Sequence, residues 1–367
     1  MLAAVVATSL LAPTTVLAWG SVGHHYIAQN YSQHLPPVID GLRAYDSVVD
    51  AHVTDADTRK SSTPGESYRH YIDIDWYPEF LAGTLSRDRA TLEAEYGAST
   101  VLNNGIVPWA VPEVVATLTQ QFQAQQWSAA ALTIADLCHY VGDANQPFHC
   151  AKNYDGQLTG NNGIHARYET TMISTYVGQL HTSPMPVTYY PSPQDAMFNL
   201  IGISYTGVAP ILAADNTAKA ASGGTFNATY YASLWNSTKA LTQARLDTAS
   251  VMTASFVYTA WVNAGQPAVP GSTTGVPPGG TPHVGIALAA GPSPFRDAVT
   301  VRYSTDAPSS VDVYDVRGSR VAHLAGDATG PGVVTWRPGA SGVEPGLYFV
   351  RLVSAAGTMT RRVALIR

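Results

Sequence analysis

The sequence predicts a mainly α protein: a helical domain over residues 19–264, then a small C-terminal β-sandwich over 283–367. Three observations predict it. Ala-rich segments with apolar residues at helical spacing fill the first part. A stretch at 265–282, rich in Pro and Gly (Gly265, Pro267, Pro270, Gly271, Pro277, Pro278, Gly279, Gly280), can build no core and reads as a linker. Beyond it the pattern changes to short runs of β-branched and aromatic residues divided by turns.

Taken in order, residues 1–18 read as a secretory signal peptide. Leu2 to Leu17 is largely apolar and small, and Val16-Leu17-Ala18 suits cleavage before Trp19, although a positive n-region is lacking. Helices are expected over 110–125, 127–143, 165–180, 195–214 and 238–263. Trp109 to Glu113 looks like a helix start with Pro112 in its first turn. Pro147 should stop the helix before it, and 152–163 is a loop by composition. No segment after the signal peptide is expected to span a bilayer. In the last part, strands are expected at 299–303, 311–316, 320–324, 333–336 and 346–352.

The charge is uneven. Of the formal net charge of -6, residues 1–282 carry about -9 and residues 283–367 about +3. The helical part therefore has no basic stripe of the kind that binds polyanions, and bound cations would offset its negative charge. The two cysteines, Cys138 and Cys150, could pair after export or could be two small buried residues.

Chemistry concentrates at residues 139–169. His139 and Asp143 stand four residues apart, as do His165 and Glu169, with His149 between the pairs. Residues at i and i+4 share a helix face, so each pair could grip one metal ion from one side. Imidazole plus carboxylate is a common zinc ligand set. Further candidates lie upstream: His24, Asp55 in His52-Val-Thr-Asp55-Ala-Asp57, and His70 in Arg69-His70-Tyr-Ile-Asp73-Ile-Asp75. No Gly-x-Ser-x-Gly nucleophile elbow is present.

On these motifs, residues 19–264 resemble the superfamily of bacterial zinc-dependent phospholipases C and single-strand-specific zinc nucleases. The resemblance implies a helical domain holding three zinc ions. Asp55, His70, His139 and Asp143 would hold one. His149, His165 and Glu169 would hold the second. His24 and the backbone amine and carbonyl of Trp19, freed by cleavage, would hold the third, with Asp143 as a bridge. It implies catalysis centred on Asp55 and Asp143, with metal-activated water attacking a phosphodiester. Arg59 or Lys60 would help neutralise the phosphate, Asp57 would orient a ligand, and Tyr71 and Asp73 would contact substrate. Trp19 to His24 and Tyr71 resemble the nuclease branch. Tyr140 to His149, the Asp55-x-Asp57 spacing and the Glu at 169 resemble the phospholipase branch, and the balance leans to phospholipase C.

The alternatives are a single-strand-specific endonuclease or 3′-nucleotidase, and a non-enzymatic zinc-binding surface protein. The implied partners are a phospholipid head group or single-stranded nucleic acid as substrate. Residues 283–367 resemble the C-terminal Ig-like and sorting modules of secreted bacterial proteins at Pro294-Phe295, Tyr314 to Gly318 and Gly346-Leu-Tyr-Phe349. That resemblance implies export or attachment to the cell-surface machinery, and a secreted or cell-surface location.

Overall fold

The computed structural model describes residues 19–273, 287–291, 293–316, 318–338, 343–354 and 357–366. The expected signal peptide at 1–18 and half of the expected linker, 274–282, lie outside these residues. The rest divides into a helical part and a β part, each with its own apolar core.

Two long helices organise the helical part. Trp127–Asn145 is the central one, and everything from Leu137 to Asn145 on it is buried. Such all-round burial marks a core helix. Ala228–Asn263 packs across it, and also meets Val107–Gln123, Val208–Ala221 and the first helix, Gly20–Asn30. Its buried C-terminal half is rich in Ser and Thr. Ser250, Thr253, Ser255 and Thr259 each donate a hydrogen bond to the carbonyl four residues back. Their polar atoms are thereby satisfied inside a tightly packed region.

Four helices depart from the sequence expectation, one of them the long helix expected over 238–263, which begins ten residues earlier at Ala228. The helix around Trp109 begins earlier, at Val107, with Pro108 in its first turn and Pro112 inside it. Hydrogen bonds from Ile106 and Val107 to the carbonyls of Tyr68 and Tyr71 anchor this earlier start. The expected 195–214 helix is two helices, Pro193–Tyr205 and Val208–Ala221. They break at Gly207, where an added Cβ would lie 2.8 Å from the Pro147 ring. Together they contain an 18-residue run apolar enough to cross a membrane by length and composition, with a mean hydropathy of 1.5 over that run, contrary to the sequence expectation. The break at Gly207 and the buried, charge-paired Asp215 within it mark the stretch instead as two core-packing helices. The expected 165–180 helix is α over Ile164–Ala166, π over Arg167–Met172 and α again over Ile173–Tyr176. π-turns inside helices frequently sit at functional sites.

The β part has five antiparallel strands: β1 (Ala287–Gly291), β2 (Val299–Tyr314), β3 (Arg320–Trp336), β4 (Gly346–Ser354) and β5 (Gly357–Leu365). Expected strands 299–303 and 311–316 prove to be two ends of β2, and 320–324 and 333–336 two ends of β3. β2 pairs β3 along one edge; along its other edge it pairs β1 at its start and β4 at its end. Register shifts between Thr305 and Val311 separate those two pairings. Bulges bend a strand, so one continuous sheet closes over the core of Val299, Val301, Val311, Val313, Val350, Leu352 and Trp336. The described residues thus form a small antiparallel β domain after the helical one, as the sequence predicts, with its strands joined in a single bent sheet.

Candidate metal centre

Three segments converge on the buried end of the central helix. His139 and Asp143 lie on one of its faces, their nearest side-chain atoms 3.5 Å apart. His24 comes from the first helix, which crosses closely at Gly142: an added Cβ there would lie 2.9 Å from Ile27 and 3.2 Å from the His24 ring. His70 ends the short turn Glu66–His70. The extended chain after it is pinned on both sides, by Ile72 N–H donating to the His149 carbonyl and Asp73 N–H to the Asn104 carbonyl. Asp57 comes from the five-residue helix Asp55–Arg59.

These side chains form one continuous group. His70 Nδ1 lies 2.8 Å from Asp143 Oδ2 and 3.1 Å from His139 Nε2. His24 Nε2 is 3.4 Å from Asp143 Oδ1, and the His24 ring stacks on that of His139 with centroids 3.8 Å apart. Asp57 Oδ1 is 3.4 Å from His139 Nε2. His139, His70 and Asp143 thus form one possible metal-holding set, and His24, Asp57 and His139 another. A separate set, His149, His165 and Glu169, lies beyond the helix end. There His165 Nε2 is 3.1 Å from His149 Nε2 and 2.9 Å from Glu169 Oε2.

The backbone fixes which ring atoms face inward. His139 Nδ1 is 2.7 Å from the Val53 carbonyl, and His149 Nδ1 is 2.8 Å from the His70 carbonyl. A carbonyl only accepts, so each Nδ1 carries the proton and each Nε2 turns a lone pair to its cluster. Two imidazole nitrogens 3.1 Å apart then need a proton or a cation between them.

The unpaired atoms point the same way. Both ring nitrogens of His24, Asp57 Oδ2, His70 Nε2, Asp143 Oδ1, His165 Nδ1 and Glu169 Oε1 are buried without a hydrogen bond. Buried polar groups are normally paired, and so many orphans on ligand-type residues fit a metal centre. Electrostatics agrees. Burial alone would lower His139 and His149, yet Asp143 and Glu169 raise them. Burial would raise Glu169, but the His165 and His149 imidazoles hold it at about 2. His24 is pushed down to about 4 by burial and by His139, so it stays neutral and able to ligate.

The sequence-expected residues meet mixed fates. His24, His70, His139 and Asp143 come together, as do His149, His165 and Glu169. Asp55 does not join them. It is half exposed and pairs with His52 at 2.7 Å, while Asp57, expected only to orient a ligand, stands in the cluster. Residues two apart on a helix do not share a face, so only one of the two aspartates can point inward. Trp19 is fully buried, in a left-handed backbone conformation. Its backbone nitrogen donates to Glu169 Oε2 at 2.9 Å, so its contact is with the second set rather than with His24's group. Its indole donates to the Gly142 carbonyl at 2.7 Å.

Lys60 pairs with Asp57 at 2.6 Å and so sits at the edge of the cluster. Arg59 is engaged elsewhere, with Asp136 at 2.8 Å and with Glu66 and Tyr140. Tyr71 follows His70, half buried, its hydroxyl donating to the Asn103 carbonyl at 2.9 Å. Asp73 is pushed up to about 7 by burial and by Asp75. Glu66, not singled out from sequence, lies 3.6 Å from His70 Nε2 and accepts from the Tyr140 hydroxyl. Its i,i+4 spacing to His70 repeats the device of the other two pairs and could have flagged it. Cys138 and Cys150 are free, buried thiols.

No family model and no curated protein matches the chain. Among solved structures it is similar to the alpha toxin from Clostridium absonum, at 10% identity and a TM-score of 0.41, covering 94% of this chain and 96% of that one. It is likewise similar to the alpha-toxin of Clostridium perfringens from avian strain SWCP, at 11% identity and a TM-score of 0.44, covering 93% of this chain and 97% of that one. At these scores the likeness says nothing about the chemistry of the site.

Proposed function

We propose that the protein is an exported zinc-dependent phosphodiester hydrolase, of the phospholipase C kind. One observation carries the reading: buried imidazoles and carboxylates in adjoining sets, sharing His139, with unpaired ligand atoms turned inward. Structural zinc sites are usually closed tetrahedra of Cys and His, whereas carboxylate-rich sites with a shared ligand suit hydrolysis.

His24, Asp57, His70, His139 and Asp143 would hold the adjoining ions, and His149, His165 and Glu169 a further one. Zinc bound there would supply a Lewis acid for the phosphate and lower the pKa of water toward neutrality. The chain's own contribution is placement. The Val53 and His70 carbonyls keep His139 and His149 in the ligating tautomer. Lys60, paired to Asp57 at the cluster edge, would help neutralise a phosphate oxygen. Asp73, held near neutrality beside His149, can exchange a proton near neutral pH. The lean to phospholipase C rests on the resemblance of Tyr140 to His149 and on Glu169; the nuclease alternative rests on Tyr71 beside His70.

The separating experiment is a side-by-side assay on phosphatidylcholine, single-stranded DNA, RNA and nucleoside 3′-monophosphates, with and without zinc. Turnover of phosphatidylcholine with little nucleic-acid cleavage is expected. Rapid nucleic-acid cleavage without lipid turnover would move the assignment to the nuclease branch.

A further inference from the structure

Gln146 is the first residue past the central helix, in extended conformation, so its side chain swings off the helix end instead of continuing its face. It is completely buried, and both ends of its amide are engaged. Oε1 accepts from Phe148 N–H at 2.6 Å, and Nε2 donates to Glu169 Oε2 at 2.7 Å. Phe148 N–H can only donate, so the amide has one orientation, with its NH2 on Glu169. Glu169 Oε2 also accepts from the Trp19 backbone nitrogen. One carboxylate oxygen is therefore held by two fixed donors, while Oε1 has no hydrogen-bond partner.

The three residues of that set come from two elements. His149 is on the turn Pro147–Cys150, and His165 and Glu169 are on the mixed α/π helix. Gln146 belongs to the chain just before the first element and bonds to the second. We propose that Gln146 is a positioning residue: its amide clamps Glu169 to the His149 turn and sets the spacing of this three-residue grip for a divalent metal. The proposal rests on the metal-centre reading above.

The test measures zinc affinity by competition with a chromophoric chelator, on wild type, Gln146→Met and Gln146→Glu. Gln146→Met keeps the bulk and loses both hydrogen bonds. Gln146→Glu keeps the shape but turns a carboxylate on Glu169 in place of a donor. Each should weaken one zinc by about 10–100-fold, the usual cost of losing a partner of a metal ligand. The other ions should be unaffected and the circular dichroism unchanged. Activity should fall at limiting zinc and recover at saturating zinc with KM unchanged, which a merely structural role would not produce. Wild-type affinity for every ion in either variant that folds would overturn the proposal alone. A wild type that takes up no zinc would overturn the metal-centre reading, and this proposal with it.

Discussion

Asp55 and Asp57 stand two residues apart on a helix of five, and only Asp57 reaches the cluster. The motif Asp-x-Asp was readable, but not which carboxylate turns inward. That choice is made by the helix phase, which fixes Ala56 as the buried core residue and places Asp55 at the surface beside His52. It gives a sharp prediction. Asp57→Asn should lower hydrolytic activity by about 100-fold or more, because it removes a ligand-type carboxylate and not merely its neighbour. Asp55→Asn should change activity less than about threefold, as an exposed pair contributes little. Steady-state kinetics on a chromogenic phosphodiester checks both, and equal losses would refute the placement of Asp57. His139 and His165 were legible because their i,i+4 spacing to Asp143 and Glu169 writes a shared helix face directly into the chain, whereas His24, His70 and His149 were assigned through the resemblance.

Individual elements are held at the site by backbone contacts that no motif announces. The segment carrying His70 and Tyr71 is pressed against Gly105, whose φ is +86° and whose added Cβ would lie 2.1 Å from the Tyr71 carbonyl oxygen. Gly105→Ala would have to adopt a strained backbone and push that segment away. It should cost at least about 1–3 kcal/mol in urea unfolding, with a loss of activity. A neutral result would mean the 103–107 segment does not fix His70.

Elsewhere, Asp215 ties the 152–163 loop to two helices. It lies 3.0 Å from Arg167 and 2.6 Å from Lys219, and it accepts from Asn161 and the Tyr230 hydroxyl. Burial would raise its pKa, but these partners, Lys219 foremost, hold it below the usual carboxylate value. A depressed folded pKa gives stability that is present above the unfolded value, about 3.9, and fades as pH falls below it. Asp215→Asn should therefore cost about 3 kcal/mol at neutral pH. Its deficit against wild type should shrink below about pH 4, as unfolding curves at both pH values would register. A deficit independent of pH would mean that packing, not charge, is what Asp215 contributes. The position of this network was hidden in the sequence, since Arg167, Asp215 and Tyr230 are brought together only by the fold.

At the scale of the molecule, the change of pattern near residue 265 marked the passage from helices to strands, because binary periodicity follows secondary structure closely. Strand count and sheet closure were less legible. The ends of β2 and β3 carried strong β signals, whereas the bulged middles at 305–311 and 325–331 are rich in Gly, Pro and Ser and read as turns. The 195–214 stretch failed for a related reason: apolar periodicity continues through Gly207, where the helix breaks beside the Pro147 ring.

The central claim is that the converging histidines and carboxylates are a metal centre that performs phosphodiester hydrolysis. Its most direct test is metal analysis of the purified protein by mass spectrometry, before and after chelation and again after zinc is restored, with hydrolysis of bis(p-nitrophenyl) phosphate followed in parallel. About three zinc ions per chain, the number the ligand-type sets can hold at three to four ligands each with sharing, should be present. Activity should vanish with the metal and return with it. A protein that holds less than about one zinc per chain, or that keeps full activity once stripped of metal, would contradict the account.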